Sequence, residues 1–401
     1  MAKRSTSAAP PDATEALLLA LCRNDWPETA RARLTSLLAA PVDWSRLAEL
    51  AALHGVVGLV SKSLAAAGWQ AQVPAPARAA MQAAVTQIRF DGMLHLHETG
   101  RMTAALAAVG IEPILLKGQA LADLLYDDPL IRPASDVDLL VRWDEVERAE
   151  AALAGAGYEP QSAALRDYEL GHNYHVTLWR EVLPGRPLLL ELHWDLGARN
   201  LFQYNLADWR ARVQLFRLPD VATPLQRFAP GEQLLHLALH MRKHRYVGLR
   251  WLVDVATLLR RFENELDWPA LLAAADTAGL RTLLYTTVLL AQRSLDVPVA
   301  QRWLDALAPS ALRRSLLASV LQQDALLAPL EVEDAGWTRL APAEVLLLDQ
   351  PGAMARELRW RLFPPVEKLG GLEAAGETGS QRAARYARRL LRRSRTLASK
   401  Q

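Results

Sequence analysis

Along the first hundred positions, apolar side chains recur at three- and four-residue intervals, the period of a helix with one buried face. Leu17, Leu18, Leu21 and Cys22 open the series. The pattern predicts helices over 12–21, 28–38, 44–54, 57–67 and 76–110. The period then changes. Residues 111–116 form an apolar run ending in Lys117-Gly118, while 135–141, 175–180 and 188–194 alternate at every second position. All four stretches are expected as strands, the last two joined by a turn at Pro184-Gly185. A short helix over 119–126 breaks at Asp127-Asp128-Pro129. Residues 144–156 read as a helix, with Asp144 and Glu145 in its first turn and Gly157 past its end. From Pro230 helical spacing returns over 232–244, 249–262 and 268–330, with breaks at Trp268-Pro269 and Val297-Pro298 and a looser joint over 331–352.

The fold class this predicts is α+β, a small mixed β-sheet core flanked by N- and C-terminal helical regions. The expected divisions are a disordered leader over 1–12, a helical region over 13–108, the core over 109–225, a helical domain over 226–335, and a joint with a basic tail over 336–401. Composition agrees: 51% of the 401 residues are hydrophobic and only 6% aromatic, which suits a mostly helical protein. A formal net charge of +2 selects no partner by bulk electrostatics. The single cysteine, Cys22, excludes an internal disulfide framework and a cysteine-based zinc cluster. The early Lys3-Arg4 is followed by Pro10, Pro11 and Asp12, unlike a signal peptide, and no apolar run is long enough for a membrane span. A cytoplasmic location is the expectation. The stretch 381–400 carries Arg382, Arg385, Arg388, Arg389, Arg392, Arg393, Arg395 and Lys400 without an acid, and reads as a solvated end. Nucleic acid as a partner has only that tail in its favour.

The candidate chemistry lies in the strand-period region. Asp136 and Asp138 are two apart in a strand, so both carboxylates share one face while Val137 and Leu139 take the other. Like charges that close need a cation between them, and hard oxygen ligands suit magnesium. Glu191 and His193 likewise share a face. His236, His240 and His244 recur every four residues and stack along one helix. Asp254 sits in an apolar helix and is expected to pair with an arginine or one of those histidines. Arg89, Asp91, His95, His97 and Glu98 read as the exposed side of a helix.

Strand, Lys117-Gly118, short helix, Tyr126, Arg132 and then Ser135-Asp136-Val137-Asp138-Leu139-Leu140-Val141 resemble the DNA polymerase β-like nucleotidyltransferase superfamily. More narrowly, residues 100–260 look like the bacterial uncharacterised nucleotidyltransferase family. The chain departs from the superfamily pattern in placing Gln119 after Gly118, with a longer gap to Asp136. The resemblance implies transfer of a nucleoside monophosphate from an NTP, with Asp136, Asp138 and Glu191 as catalytic residues holding Mg2+ (or Mn2+). It implies nucleotide contacts from Lys117, Gly118, Gln119, Arg132 and Ser135. Acceptor or phosphate contacts would come from His193, His236, His240 and Lys243. The acceptor stays open among small molecule, saccharide, peptide, protein and RNA end. The competing reading is a non-catalytic scaffold that binds a nucleotide or a partner protein.

Overall fold

The computed structural model describes residues 12–197, 200–320, 327 and 341–362. The basic stretch 381–400 and most of the expected leader lie outside the described residues. Four helices come first: α1 (Ala13–Leu21), α2 (Glu28–Leu38), α3 (Trp44–Leu53) and α4 (Val57–Ala66). Of these, α3 and α4 pack on the long α5 (Ala75–Ala107), while α1 packs on α2, α3 and α4. The core then runs β1 (Ile114–Leu115), α6 (Gly118–Leu125), β2 (Asp136–Leu140), α7 (Val146–Gly155), β3 (Glu159–Pro160) and α8 (Ala163–His172). It continues with β4 (His175–Leu183), β5 (Arg186–His193), α9 (Leu206–Arg210), β6 (Val213–Phe216) and β7 (Leu225–Phe228). After it come α10 (Pro230–Lys243), α11 (Leu249–Phe262), α12 (Trp268–Ala278), α13 (Arg281–Leu295), α14 (Gln301–Leu307), α15 (Ala311–Val320), α16 (Ala341–Leu346) and α17 (Pro351–Leu362). The α+β class is as expected, and no described helix is long and apolar enough to cross a membrane.

The seven strands form one mixed sheet in the order β3-β4-β5-β2-β1-β7-β6. β2 and β5 are parallel with Asp138 opposite Glu191, while β4 and β5 are an antiparallel hairpin with His175 opposite His193. One face of this central part is apolar: Val137, Leu139, Val176, Leu178, Leu190 and Leu192 pack with Met102, Leu106 and Leu153 of α5 and α7. Asp138, Glu191, His193 and His175 stand on the other face because side chains alternate along each strand. A second cluster joins the helices before the sheet to those after it, with Leu18 and Leu59 in the same buried mass as Leu252 and Leu283.

Several elements differ from the pattern's prediction. The first strand is limited to Ile114–Leu115, and β3, β6 and β7 are additional. Trp268-Pro269 opens α12 instead of interrupting a helix, Pro269 needing no amide partner in the first turn. His95 and Glu98 are buried, not exposed. Tyr158 donates to Glu98, and Arg180 pairs with it at 2.8 Å, so the sheet edge supplies what a buried carboxylate requires.

A close approach fixes where the N-terminal helices meet the core. Gly58 of α4 lies on the turn Pro129–Ile131, and a Cβ there would overlap the Ile131 carbonyl oxygen and come within 2.8 Å of its Cβ. Gly58→Ala is expected to destabilise by about 1–3 kcal/mol, read as a melting temperature lowered by several degrees. An unchanged melting temperature would mean the two segments do not touch.

Candidate active site

Five side chains from three neighbouring strands make a row on one sheet face. Asp136 and Asp138 come from β2, Glu191 and His193 from β5, and His175 from β4. Asp136, Asp138 and Glu191 each offer a carboxylate oxygen within 4.8 Å of the others. Asp138 is the most enclosed, at 3% exposure. Its Oδ1 lies 2.7 Å from Lys117 Nζ and 3.0 Å from His193 Nε2. Its Oδ2 is buried with no hydrogen-bond partner among the described residues. His193 Nε2 also lies 3.0 Å from Glu191 Oε2.

Electrostatics divide the carboxylates. Burial resists ionisation of Asp138, but the Lys117 ammonium and the His193 hydrogen bond outweigh it and hold the carboxyl well below its usual range. Glu191 is drawn down to about 2: burial opposes its charge, and the hydrogen bond and charge of His193 overcome it. Asp136 moves the other way, raised by burial and by the Asp138 charge, with Lys117 only partly offsetting them.

Lys117-Gly118 stands where the sequence suggests, at the start of α6, with Gly118 in the left-handed region at φ +52 that favours glycine. The Ser135 hydroxyl donates to Asp136 Oδ1 at 3.0 Å. Gln119 is buried and donates to the Gly92 carbonyl of α5 at 3.2 Å, bordering a small recess beside Asp136 and Asp138. Arg132 edges the cleft, but its guanidinium forks onto Asp254 at 3.0 and 2.8 Å. That is the arginine partner expected for Asp254. His240 and Lys243 line both clefts that flank the carboxylates, whereas buried His236 borders only the larger.

The smaller cleft, about 100 Å3, is bounded by Lys117, Asp136, Glu191, Lys243 and Arg250, with Trp251 at its wall. The larger, about 520 Å3, takes in His175, His193, Tyr174 and Arg242. Arg250, Trp251 and His175 escaped the sequence reading. Arg250 donates to the Pro133 carbonyl at 3.2 Å and lies 4.1 Å over the Trp251 ring, so the adjacent Arg-Trp pair at the start of α11 was the available signal.

Four histidines around the site are held neutral. His175 and His244 fall to about 4, His236 to about 3 and His240 well below its ordinary 6.5. Burial is the main cause in each, followed by nearby positive charge from His193, Lys243 or Lys117. Between pH 6.5 and 4 the unfolded chain therefore binds more protons at these positions, so stability falls as pH falls. His193 is shifted upward and works in the opposite sense, one against four: burial resists its charge, and its hydrogen bonds to Asp138 and Glu191 outweigh that. The melting temperature is expected to drop by several degrees from pH 7 to pH 5; a flat profile would show these rings to be hydrated.

Fold and site together define an α+β protein whose sheet presents a carboxylate centre able to hold a metal ion. A family model described as uncharacterised nucleotidyltransferase matches residues 40–296, more than half of the 401, and the chain belongs to that family. The match is wider than the 100–260 legible by resemblance, taking in α3 and α4 before the core and α12 and α13 after it. No curated protein and no solved structure matches the chain.

Proposed function

We propose that this chain transfers a nucleoside monophosphate from an NTP to an acceptor hydroxyl. In that reaction the acceptor hydroxyl loses its proton to water, its oxygen bonds to the α-phosphorus, the α–β phosphoanhydride bond breaks, and pyrophosphate leaves with the electron pair. The observation that carries the proposal is the convergence of Asp136, Asp138 and Glu191 within 4.8 Å, with Asp138 Oδ2 buried and unpartnered beside Lys117. These oxygens fit a hard divalent cation, and the three carboxylates would hold Mg2+ or Mn2+. When bound, such an ion supplies positive charge to the triphosphate and acidifies a coordinated hydroxyl.

The chain's own residues divide the remaining work. Lys117 and Gly118, at the N-terminus of α6, are placed for phosphate oxygens, where the helix dipole favours anions. Lys243 and Arg250 add positive charge to the smaller cleft. We assign Glu191 to ligation and charge, since it converges with Asp136 and Asp138 and its Oε2 is engaged by His193 at 3.0 Å, which favours the ionised form. We place the reaction in the cytoplasm, where NTPs are available and a free, buried Cys22 is at home.

The test is calorimetry with each NTP, with and without Mg2+, on wild type and on Asp136→Ala/Asp138→Ala. Metal-dependent binding that the double variant loses is expected. A folded wild type that binds no NTP in Mg2+ would overturn the proposal and favour the non-catalytic scaffold.

A further inference from the structure

We infer that the carboxylate centre continues into a second, nitrogen-containing cation site formed by His175, Glu191 and His193. The inference deepens the proposed metal-dependent reading and rests on it. Strand pairing sets the three side chains together: His175 and His193 are direct partners across β4 and β5, and Glu191 is two residues before His193 on the same face. Their ligand atoms all fall within 4.8 Å of one another. His193 Nε2 is 3.0 Å from Glu191 Oε2 and His175 Nε2 is 3.8 Å from Glu191 Oε1, so the two imidazoles address different oxygens of one carboxylate. Bonds of about 2.1 Å at right angles place neighbouring ligand atoms about 3 Å apart. The described distances are close to that spacing before any ion draws them in.

Two further observations fit a cation here. Asp138 Oδ2 is buried without a hydrogen-bond partner among the described residues, on the carboxylate whose Oδ1 lies 3.0 Å from His193 Nε2. Ligation through Nε2 would use the nitrogen on each ring that faces a carboxylate. Both rings also border the larger cleft, whereas Asp136 and Glu191 border the smaller. Glu191 is thus the common ligand, with oxygen-only ligation on one side and mixed nitrogen and oxygen ligation on the other. Imidazole discriminates against magnesium and in favour of Mn2+, Co2+ or Zn2+. The second position is therefore assigned to a transition ion.

The experiment uses the full chain, stripped of metal with a chelator and titrated with Co2+. Bound ion is measured by equilibrium dialysis and nitrogen ligation by visible absorption. Wild type is expected to take up two equivalents. His175→Ala is expected to weaken one of them by at least about 100-fold, since even outer-shell changes cost 10–100-fold, and to lose the nitrogen-dependent absorption. His175→Asp keeps a ligand in place and should retain the second equivalent while shifting its preference from Co2+ towards Mg2+; it serves where His175→Ala does not fold. A single Co2+ that Asp136→Asn removes and His175→Ala leaves untouched overturns the nitrogen site and spares the carboxylate centre. No bound ion in folded wild type overturns both.

Discussion

Asp138→Asn is expected to lower Mg2+-dependent nucleotide transfer by about 1,000-fold or more, the largest functional loss of any single change. The substitution keeps the side chain's shape and removes only its charge. Of the three site carboxylates Asp138 is the most fully out of water, with Lys117 at 2.7 Å and His193 at 3.0 Å. Neutralising it leaves the Lys117 ammonium facing an amide that cannot offset it, and takes from His193 one of its two carboxylate partners. A metal ion would then meet a centre that has lost its deepest anionic oxygen. Roughly 4 kcal/mol of charge stabilisation corresponds to the stated factor. Lys117→Met should cost less, because it removes one positive contact and leaves all three carboxylates in place. Stability separates the two variants as well: Asp138→Asn strands Lys117 in a buried position, and removing one partner of a buried pair costs about 3–5 kcal/mol, here reduced because Glu191 still engages His193. Pyrophosphate release and thermal melting, measured on the same preparations, check both statements. Asp138→Asn turnover within tenfold of wild type would remove this carboxylate from the metal centre.

The row of site residues was partly legible, and the reason it stopped short is geometric. Alternation alone puts Asp136 with Asp138 and Glu191 with His193, because two residues on one strand need no knowledge of the partner strand. His175 requires the hairpin register. Next to the turn, Leu183 pairs with Arg186, and counting outward from there would set His175 opposite Trp194. The register shift between Glu181 and Leu183 moves the pairing by one residue and brings His175 opposite His193. A one-residue slip exchanges the faces of a strand, so the turn signal alone cannot place this histidine.

Helices were easier to read. The stacking of His236, His240 and His244 follows from their spacing; His240 and His244 have ring centroids 4.5 Å apart. β6 and β7 went unread because four-residue strands such as VQLF and LQRF are too short for a period to declare itself. The burial of Glu98 also lay outside the local pattern, since its partners Tyr158 and Arg180 are 60 and 82 residues away.

Breaking the Arg132–Asp254 pair is expected to give the largest loss of stability, about 3–5 kcal/mol for Asp254→Asn or Arg132→Met alone. The two side chains are 3% and 0% exposed, joined through both carboxylate oxygens, and Tyr126 donates to Asp254 at 2.9 Å. Loss of either member leaves a buried charge without its ion partner. Replacing the whole polar group should be far milder, since a buried ion pair exchanged for apolar side chains of similar volume is often neutral. Arg132→Met/Asp254→Leu/Tyr126→Phe is therefore expected to recover most of the denaturation midpoint that the single variants lose. That combined variant also decides what Arg132 does. Its guanidinium is committed to Asp254, and it lies in the segment that leads from α6 to Ser135 and Asp136. On this geometry it is expected to position the start of β2 instead of gripping phosphate. Recovered stability should then bring back Mg2+-dependent nucleotide binding to within about tenfold of wild type, a difference of about 1.4 kcal/mol. Full recovery of the midpoint with binding still absent would instead mean that Arg132 meets the donor directly, as the resemblance implies.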